Sequence, residues 1–184
     1  MYILLLYLDK CSRFDCSNLY INGFLNSANA LNPDACYTYL LIVIEDQNDM
    51  RNNNFEIIGF FSLTIDVVTT LERENVVFSG GAIRIKMFAI DNKYKKKKIN
   101  VSGEQIIYAS VHLKICLDII ESISNKYIGA SYIVLNSTEE GKNLYLNKGA
   151  FEILDEDDDY KVATIEEDTD CIPMYRQIRD EDYY

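Results

Sequence analysis

Ala82-Ile83-Arg84-Ile85-Lys86-Met87-Phe88-Ala89-Ile90-Asp91-Asn92-Lys93-Tyr94-Lys95-Lys96-Lys97-Lys98 is the run that decides the architecture of this chain. It begins as an apolar/polar alternation and becomes continuously apolar over Met87-Phe88-Ala89-Ile90. That is the pattern of a strand half exposed at its start and buried on both faces at its end. Asp91-Asn92-Lys93 breaks the strand with turn-forming residues. Tyr94 to Lys98 follows as a compact cationic segment. Ser102-Gly103-Glu104-Gln105 matches a helix N-cap with Gln at the third helical position, a capping box. Ile106, Ala109, Leu113, Leu117 and Ile120 then recur at helical spacing as far as Ile123. The unit reads strand, basic loop, helix. A helix N-terminus offers unpaired N–H groups and the positive end of a dipole, and four lysines just before it add charge. A di- or polyphosphate suits such a place; a solvated basic turn is the plain alternative.

Upstream, Tyr2–Leu8 reads as a first strand, too short to span a membrane and lacking the basic flank of a signal peptide. Residues 12–17 make a turn, and a helix covers Leu19–Asn29, with Asp15 or Ser17 as its cap. Cys36–Ile44 is a strand and Glu45–Asn54 a polar hairpin loop. Phe55–Val68 is the next strand, with Gly59 as a bulge, and Thr69–Val77 an irregular connection. Downstream, Ser131–Leu135 is a strand, and Ser137 or Thr138 caps a short helix that Gly149 stops. Phe151–Leu154 and Cys171–Ile178 are strands around the acidic stretch Asp155–Asp170, and Arg179–Tyr184 is a tail. The order is β-α-β-β-β-α-β-α-β-β. It predicts an α/β chain of the α+β type, with a mixed, mostly antiparallel sheet, helices on both faces and one parallel crossover after Ala82.

The length of 184 residues fits a single domain, residues 1–184, with a sizeable core. A formal charge of −11 disfavours a protein whose whole surface grips nucleic acid. Only Lys93–Lys98, Arg84 and Lys86 concentrate positive charge. Five cysteines, with no metal-binding spacing, fit free thiols in a reducing cytoplasm. The acidic stretch matches no EF-hand. His112, the single histidine, sits mid-helix, where it is structural, and Cys116 on the same helix is packing. No metal set is expected.

Two patches resemble the GNAT family of N-acetyltransferases. Ile85 to Tyr94 is similar to that family's fourth strand and its exit into the pyrophosphate loop. Glu139-Glu140-Gly141-Lys142-Asn143-Leu144-Tyr145-Leu146-Asn147-Lys148-Gly149-Ala150-Phe151 resembles its short helix, with a tyrosine four residues before a glycine and an aromatic strand after it. Arg13 to Leu25 is similar to the start of GNAT toxins of toxin–antitoxin modules, and Gly59-Phe60-Phe61-Ser62-Leu63-Thr64 fits their third strand. Two departures stand out. Glycines are missing from Lys95-Lys96-Lys97-Lys98-Ile99-Asn100, where the family has a Gly-containing loop, and Gly149-Ala150-Phe151 is one residue longer than the family's Gly-Phe.

The resemblance implies transfer of an acetyl group from acetyl-CoA to a primary amine, the amine of aminoacyl-tRNA in toxin-type relatives. It implies that Met87, Phe88, Ala89 and Ile90 pair with the pantetheine arm and that backbone N–H near Phe88 to Ile90 polarises the thioester carbonyl. Lys95, Lys96, Lys97 and Lys98 would hold the pyrophosphate, with Gly103 taking a loop glycine's role at the helix start. Tyr145 would protonate the leaving thiolate, and Asn143 would contact the cofactor. Glu72 or Glu74 is the candidate on the acceptor side. Acetyl-CoA and the amine acceptor are the implied partners, with tRNA, an antitoxin and a second copy of the chain as further ones and no membrane. The alternative is a GNAT-like interaction module that has lost catalysis, as the glycine-free loop suggests.

Overall fold

The computed structural model describes residues 9–44, 54–72, 75–154, 160–162 and 171–178. The expected strand Tyr2–Leu8, the loop through residues 45–53, most of the acidic stretch and the tail lie outside them. The chain forms two compact units, residues 1–63 with 87–112, and residues 64–86 with 113–184. Strands β1 (Tyr37–Val43), β2 (Glu56–Glu72), β3 (Asn75–Ile90), β6 (Tyr132–Ser137), β7 (Glu152–Ile153) and β9 (Ile172–Gln177) follow the order β1-β2-β3-β6-β9-β7, and β8 (Tyr160–Val162) pairs with β2. The β1–β2, β2–β8, β6–β9 and β7–β9 pairs are antiparallel, whereas β3–β6 is parallel. This is the mixed, mostly antiparallel sheet with one crossover that the element order requires.

In the first unit, helix α1 (Leu19–Leu25) is shorter than the periodicity predicts. Asn26 Nδ2 donates to the Asn22 carbonyl at 2.9 Å and Ser27 Oγ to that of Phe24 at 2.7 Å. These side chains compete with the next backbone turn and end the helix. The cap is Asn18, whose Oδ1 accepts from the N–H groups of Tyr20 and Ile21, rather than Asp15 or Ser17. Phe24 and Leu25 pack with Phe14, Phe60, Met87 and Ala89 in one cluster. Phe60 meets Phe14 edge-on at 5.4 Å and stacks on Phe24 at 6.2 Å. Burying a side chain of this size contributes roughly 1.5–3 kcal/mol.

The other face of these strands packs separately. Ile58 and Ile90 join Tyr94, Tyr108 and Ala109 at the start of helix α2 (Tyr108–Ile123). The first unit therefore covers both faces of its strands with helix. The β1–β2 register slips between Leu41↔Gly59 and Ile42↔Ile57, so Ile58 is the extra residue of a bulge beside Gly59.

Two expectations change here. Thr69–Val77 is no irregular connection, because β2 runs to Glu72 and β3 begins at Asn75. Residues 68–70 hold their strand conformation by pairing with β8. Ser102–Gln105 is not a capping box either. Lys98–Val101 (β4) and Glu104–Ile107 (β5) form an antiparallel hairpin, with Ser102 and Gly103 at φ 54° and 93° as its turn. Asn100 Oδ1 accepts from Gly103 N–H at 2.9 Å, and the Ile99↔Ile106 pair fixes the register. The helix starts at Tyr108, five residues beyond Gly103.

In the second unit, α2 ends in a π-turn at Ser124–Ile128, which Gly129 closes at φ 56°. Ser124 Oγ donates to the Ala130 carbonyl at 2.6 Å. Helix α3 (Glu139–Gly149) is capped by Thr138, whose Oγ1 accepts from Gly141 N–H. Glu139 and Glu140 in its first turn and Lys148 in its last complement the helix dipole.

Candidate active site

The first unit carries the strand exit. The β3–β6 ladder covers Ala82–Ile85, and β3 runs on to Ile90. Met87, Ala89 and Ile90 are buried there, and the Phe88 ring lies 4.6 Å from that of His112. Gly59 lets β2 come close to this stretch. A Cβ on it would stand 2.6 Å from the Ala89 carbonyl oxygen and 3.2 Å from His112 Nε2. His112 is fully buried, against the rings of Phe61 and Phe88. Among the described residues neither ring nitrogen has a hydrogen-bond partner of normal geometry. Burial lowers its pKa to about 4, against a smaller upward pull from the Phe60 backbone, so the imidazole is neutral at physiological pH.

Asp91 fastens the exit. Its buried carboxylate accepts from the N–H of Asp15 at 3.1 Å and of Lys93 at 2.8 Å, and its own N–H donates to the Ile58 carbonyl at 2.7 Å. Asn92 adds bonds from Nδ2 to Ser17 Oγ and Asp15 Oδ2. Turn residues alone signal this corner in the sequence; the role of Asp15 in it, 76 residues away, leaves no local mark.

The lysine turn is wound tightly. The N–H groups of Tyr94 and Lys95 donate to the Asp91 carbonyl, that of Lys97 to Tyr94, and that of Tyr108 at the helix start to Lys97. Those amides are engaged within the protein, so the turn offers charge rather than a backbone cradle. Lys96, Lys97 and Lys98 are exposed and Lys95 half-buried. The Lys97 ammonium lies 4.3 Å from the centre of the Tyr94 ring, which meets Tyr108 edge-on. Glu56 receives Lys93 Nζ and the Tyr94 hydroxyl, each at 2.6 Å. These two bonds hold the Glu56 carboxyl below its ordinary range. The bond to Glu56, with burial, pushes the Tyr94 phenol up to about 12. Positive side chains on an anchored turn fit an anionic pyrophosphate. Gly103, at the hairpin tip, does not lie at the helix start.

The second unit carries Tyr145 on α3. Its ring is buried, edge-on to Phe151 at 5.7 Å. Burial first, and then neighbouring Cys116, push its pKa well above the ordinary phenol value, so it keeps its proton. Gly141 leaves room for the ring, since a Cβ there would stand 3.3 Å from Tyr145 Cε2. Gly149 is needed for space: a Cβ would stand 2.7 Å from the Phe151 ring. The extra residue relative to the family pattern, Ala150, takes the left-handed turn at φ 52°. Asn143 is exposed and faces away from Tyr145, two positions along the helix. Arg84 leaves the expected basic face, because its guanidinium is paired with Asp66 and only 13% of its side chain is exposed.

Glu72 and Glu74 lie among residues whose side chains are not described. None of the five cysteines is in a disulfide. Among the described residues no group of three or more His, Cys, Asp or Glu side chains could hold a metal, and no helix is long and apolar enough to cross a membrane.

No family model and no curated protein matches the sequence. Solved structures match the fold. A tyrosine-to-phenylalanine variant of the AtaT toxin, bound to the C-terminus of the antitoxin AtaR and acetyl-CoA, superposes with TM-score 0.61 at 15% identity, over 91% of this chain and 85% of that one. The KacTA–DNA complex gives 0.59 at 16%, over 90% and 84%. AtaT complexed with acetyl-methionyl-tRNAfMet gives 0.56 at 14%, over 83% and 85%. This chain has their GNAT-like fold. The GNAT-like fold thus holds across nearly the whole chain, despite the glycine-free turn and the hairpin that follows it.

Proposed function

We propose that this protein is an N-acetyltransferase that moves the acetyl group of acetyl-CoA onto the primary amine of an aminoacyl-tRNA. The observation that carries the reading is the extent of the fold match, nine-tenths of this chain on a toxin that binds acetyl-CoA, with a related complex that holds acetylated aminoacyl-tRNA. Both elements of the GNAT resemblance, the strand with its anchored turn and the tyrosine helix, are formed.

Each element has a part in the reaction. The backbone of Met87, Phe88, Ala89 and Ile90 aligns the pantetheine arm, and an N–H of that stretch polarises the thioester carbonyl. Lys95, Lys96, Lys97 and Lys98 neutralise the pyrophosphate. The neutral amine attacks the carbonyl carbon, a C–N bond forms, and the C–S bond breaks with its electron pair on sulfur. Tyr145 gives its proton to that sulfur and regains one from the amine nitrogen through solvent. Its buried, protonated state suits a donor. Asn143 is an outer contact to the cofactor at most, given its exposure.

The test is acetylation of charged tRNA by the wild type and Tyr145→Phe. Loss of a general acid costs about 10²–10⁴ in turnover. The expected result is a fall of that order with acetyl-CoA affinity unchanged. Equal turnover removes Tyr145 from the mechanism, and an inactive wild type that binds no acetyl-CoA favours the interaction module.

A further inference from the structure

The first unit has a cavity of about 350 Å³ that none of the roles above uses. Lys10, Arg13, Lys93, Glu56 and Asp91 line it with charge, and Phe14, Phe55, Val43 and Ile57 supply an apolar wall. These charged groups are engaged to different degrees. Both Glu56 oxygens are taken by Lys93 Nζ and the Tyr94 hydroxyl, and the Asp91 carboxylate by two backbone N–H groups. The Lys10 ammonium, in contrast, lies over the Phe55 ring, 5.4 Å from its centre. Arg13 pairs with Asp9 and Lys93 with Glu56, both in solvent-exposed pairs, which contribute little and are readily exchanged. In a chain of net charge −11, this cavity presents cations beside aromatic and aliphatic surface.

Cations for a phosphate and an apolar wall for an attached ring are the combination by which proteins hold single nucleotides of unpaired RNA. The volume lies at the lower end of small-molecule sites, roughly 300–1,000 Å³, which suits one nucleotide and not a helical stem. We propose that this cavity seats a nucleoside phosphate, supplied by the unpaired end of the acceptor RNA, with Lys10 and Arg13 on the phosphate and Phe55 beside the ring. The inference rests on the aminoacyl-tRNA reading and names a site for that substrate beside the lysine turn, whose anchors Glu56, Asp91 and Lys93 it shares.

The test uses a labelled RNA duplex with an unpaired 3′-CCA end, titrated by fluorescence anisotropy at several salt concentrations. It compares the wild type, Lys10→Glu, Arg13→Glu and Phe55→Leu, with acetyl-CoA affinity measured in parallel. The expected result is RNA affinity at least tenfold weaker in both charge-reversal variants. Their salt slopes should be shallower by about 0.7 for each phosphate no longer neutralised, with acetyl-CoA affinity unchanged. Phe55→Leu should lose affinity for the tailed RNA and not for a blunt duplex. Wild-type RNA binding that the charge reversals leave intact overturns the site while the acetyltransferase reading stands. Weakened acetyl-CoA binding with RNA binding intact assigns the cavity to the cofactor's own nucleotide and also overturns it. A wild type that binds acetyl-CoA but no RNA overturns both the site and the tRNA acceptor.

Discussion

Gly59→Ala tests whether the close approach of β2 to the end of β3 is real. The added methyl would stand 2.6 Å from the Ala89 carbonyl oxygen and 2.9 Å from Ile90 Cδ1, where ordinary contact begins at 3.4 Å. The nearest atom belongs to the backbone, so a rotamer change cannot relieve it, and the strands must part by about 0.8 Å there. Alanine at an unstrained site gains about 0.4–1 kcal/mol through the unfolded state. Overpacking a core costs about 1–3 kcal/mol, so the clash wins. At this chain length each kcal/mol lowers Tm by about 2–4 °C. The same displacement moves Ala89 and should weaken acetyl-CoA binding. Gly23→Ala is the control: nothing lies within 4 Å of its Cβ position, inside α1, and the change should stabilise by about 0.5–1 kcal/mol. Thermal unfolding of both variants is the assay. A Gly59→Ala protein as stable as the wild type would refute the close approach.

Three further outcomes are expected. The His112 pKa is depressed from 6.5 to about 4 in the fold, so its contribution is full above pH 6.5 and is lost as pH falls toward 4. The loss is of order 3 kcal/mol, and urea unfolding from pH 7 to 4.5 should show a slope with pH that His112→Phe flattens. Ala150→Gly relieves the left-handed turn after α3 and should raise stability by about 0.5–1 kcal/mol, read as a Tm gain. Asp91→Ala removes the acceptor of two backbone N–H groups and should destabilise by about 1–3 kcal/mol and loosen acetyl-CoA binding, as calorimetry would report.

Much of this fold could be read from local pattern. The apolar run Met87–Ile90, the turn at Asp91–Asn92 and the helix before Gly149 each carry an unambiguous period or stop signal, and all three are formed. Ser102-Gly103-Glu104-Gln105 misled because Ser-x-x-Gln serves a capping box and Ser-Gly serves a tight hairpin turn equally well. The decision lay in the Ile99↔Ile106 pair, a cross-strand contact. Thr69–Val77 misled because β8, the partner of residues 68–70, comes from a distant segment. Arg84 read as surface charge because its counter-ion Asp66 lies 18 residues earlier on a neighbouring stretch of strand. The Asp15–Asp91 corner and the cavity beside Phe55 depend on contacts between remote residues, so no local pattern announces them.

The central claim is that an anchored lysine turn without glycines holds the pyrophosphate of acetyl-CoA by charge. Calorimetric titration of the purified protein with acetyl-CoA tests it most directly. Micromolar binding that weakens with salt and with Lys95–Lys98 neutralised is the predicted result. No binding at millimolar acetyl-CoA would contradict the account and leave a GNAT-like interaction module.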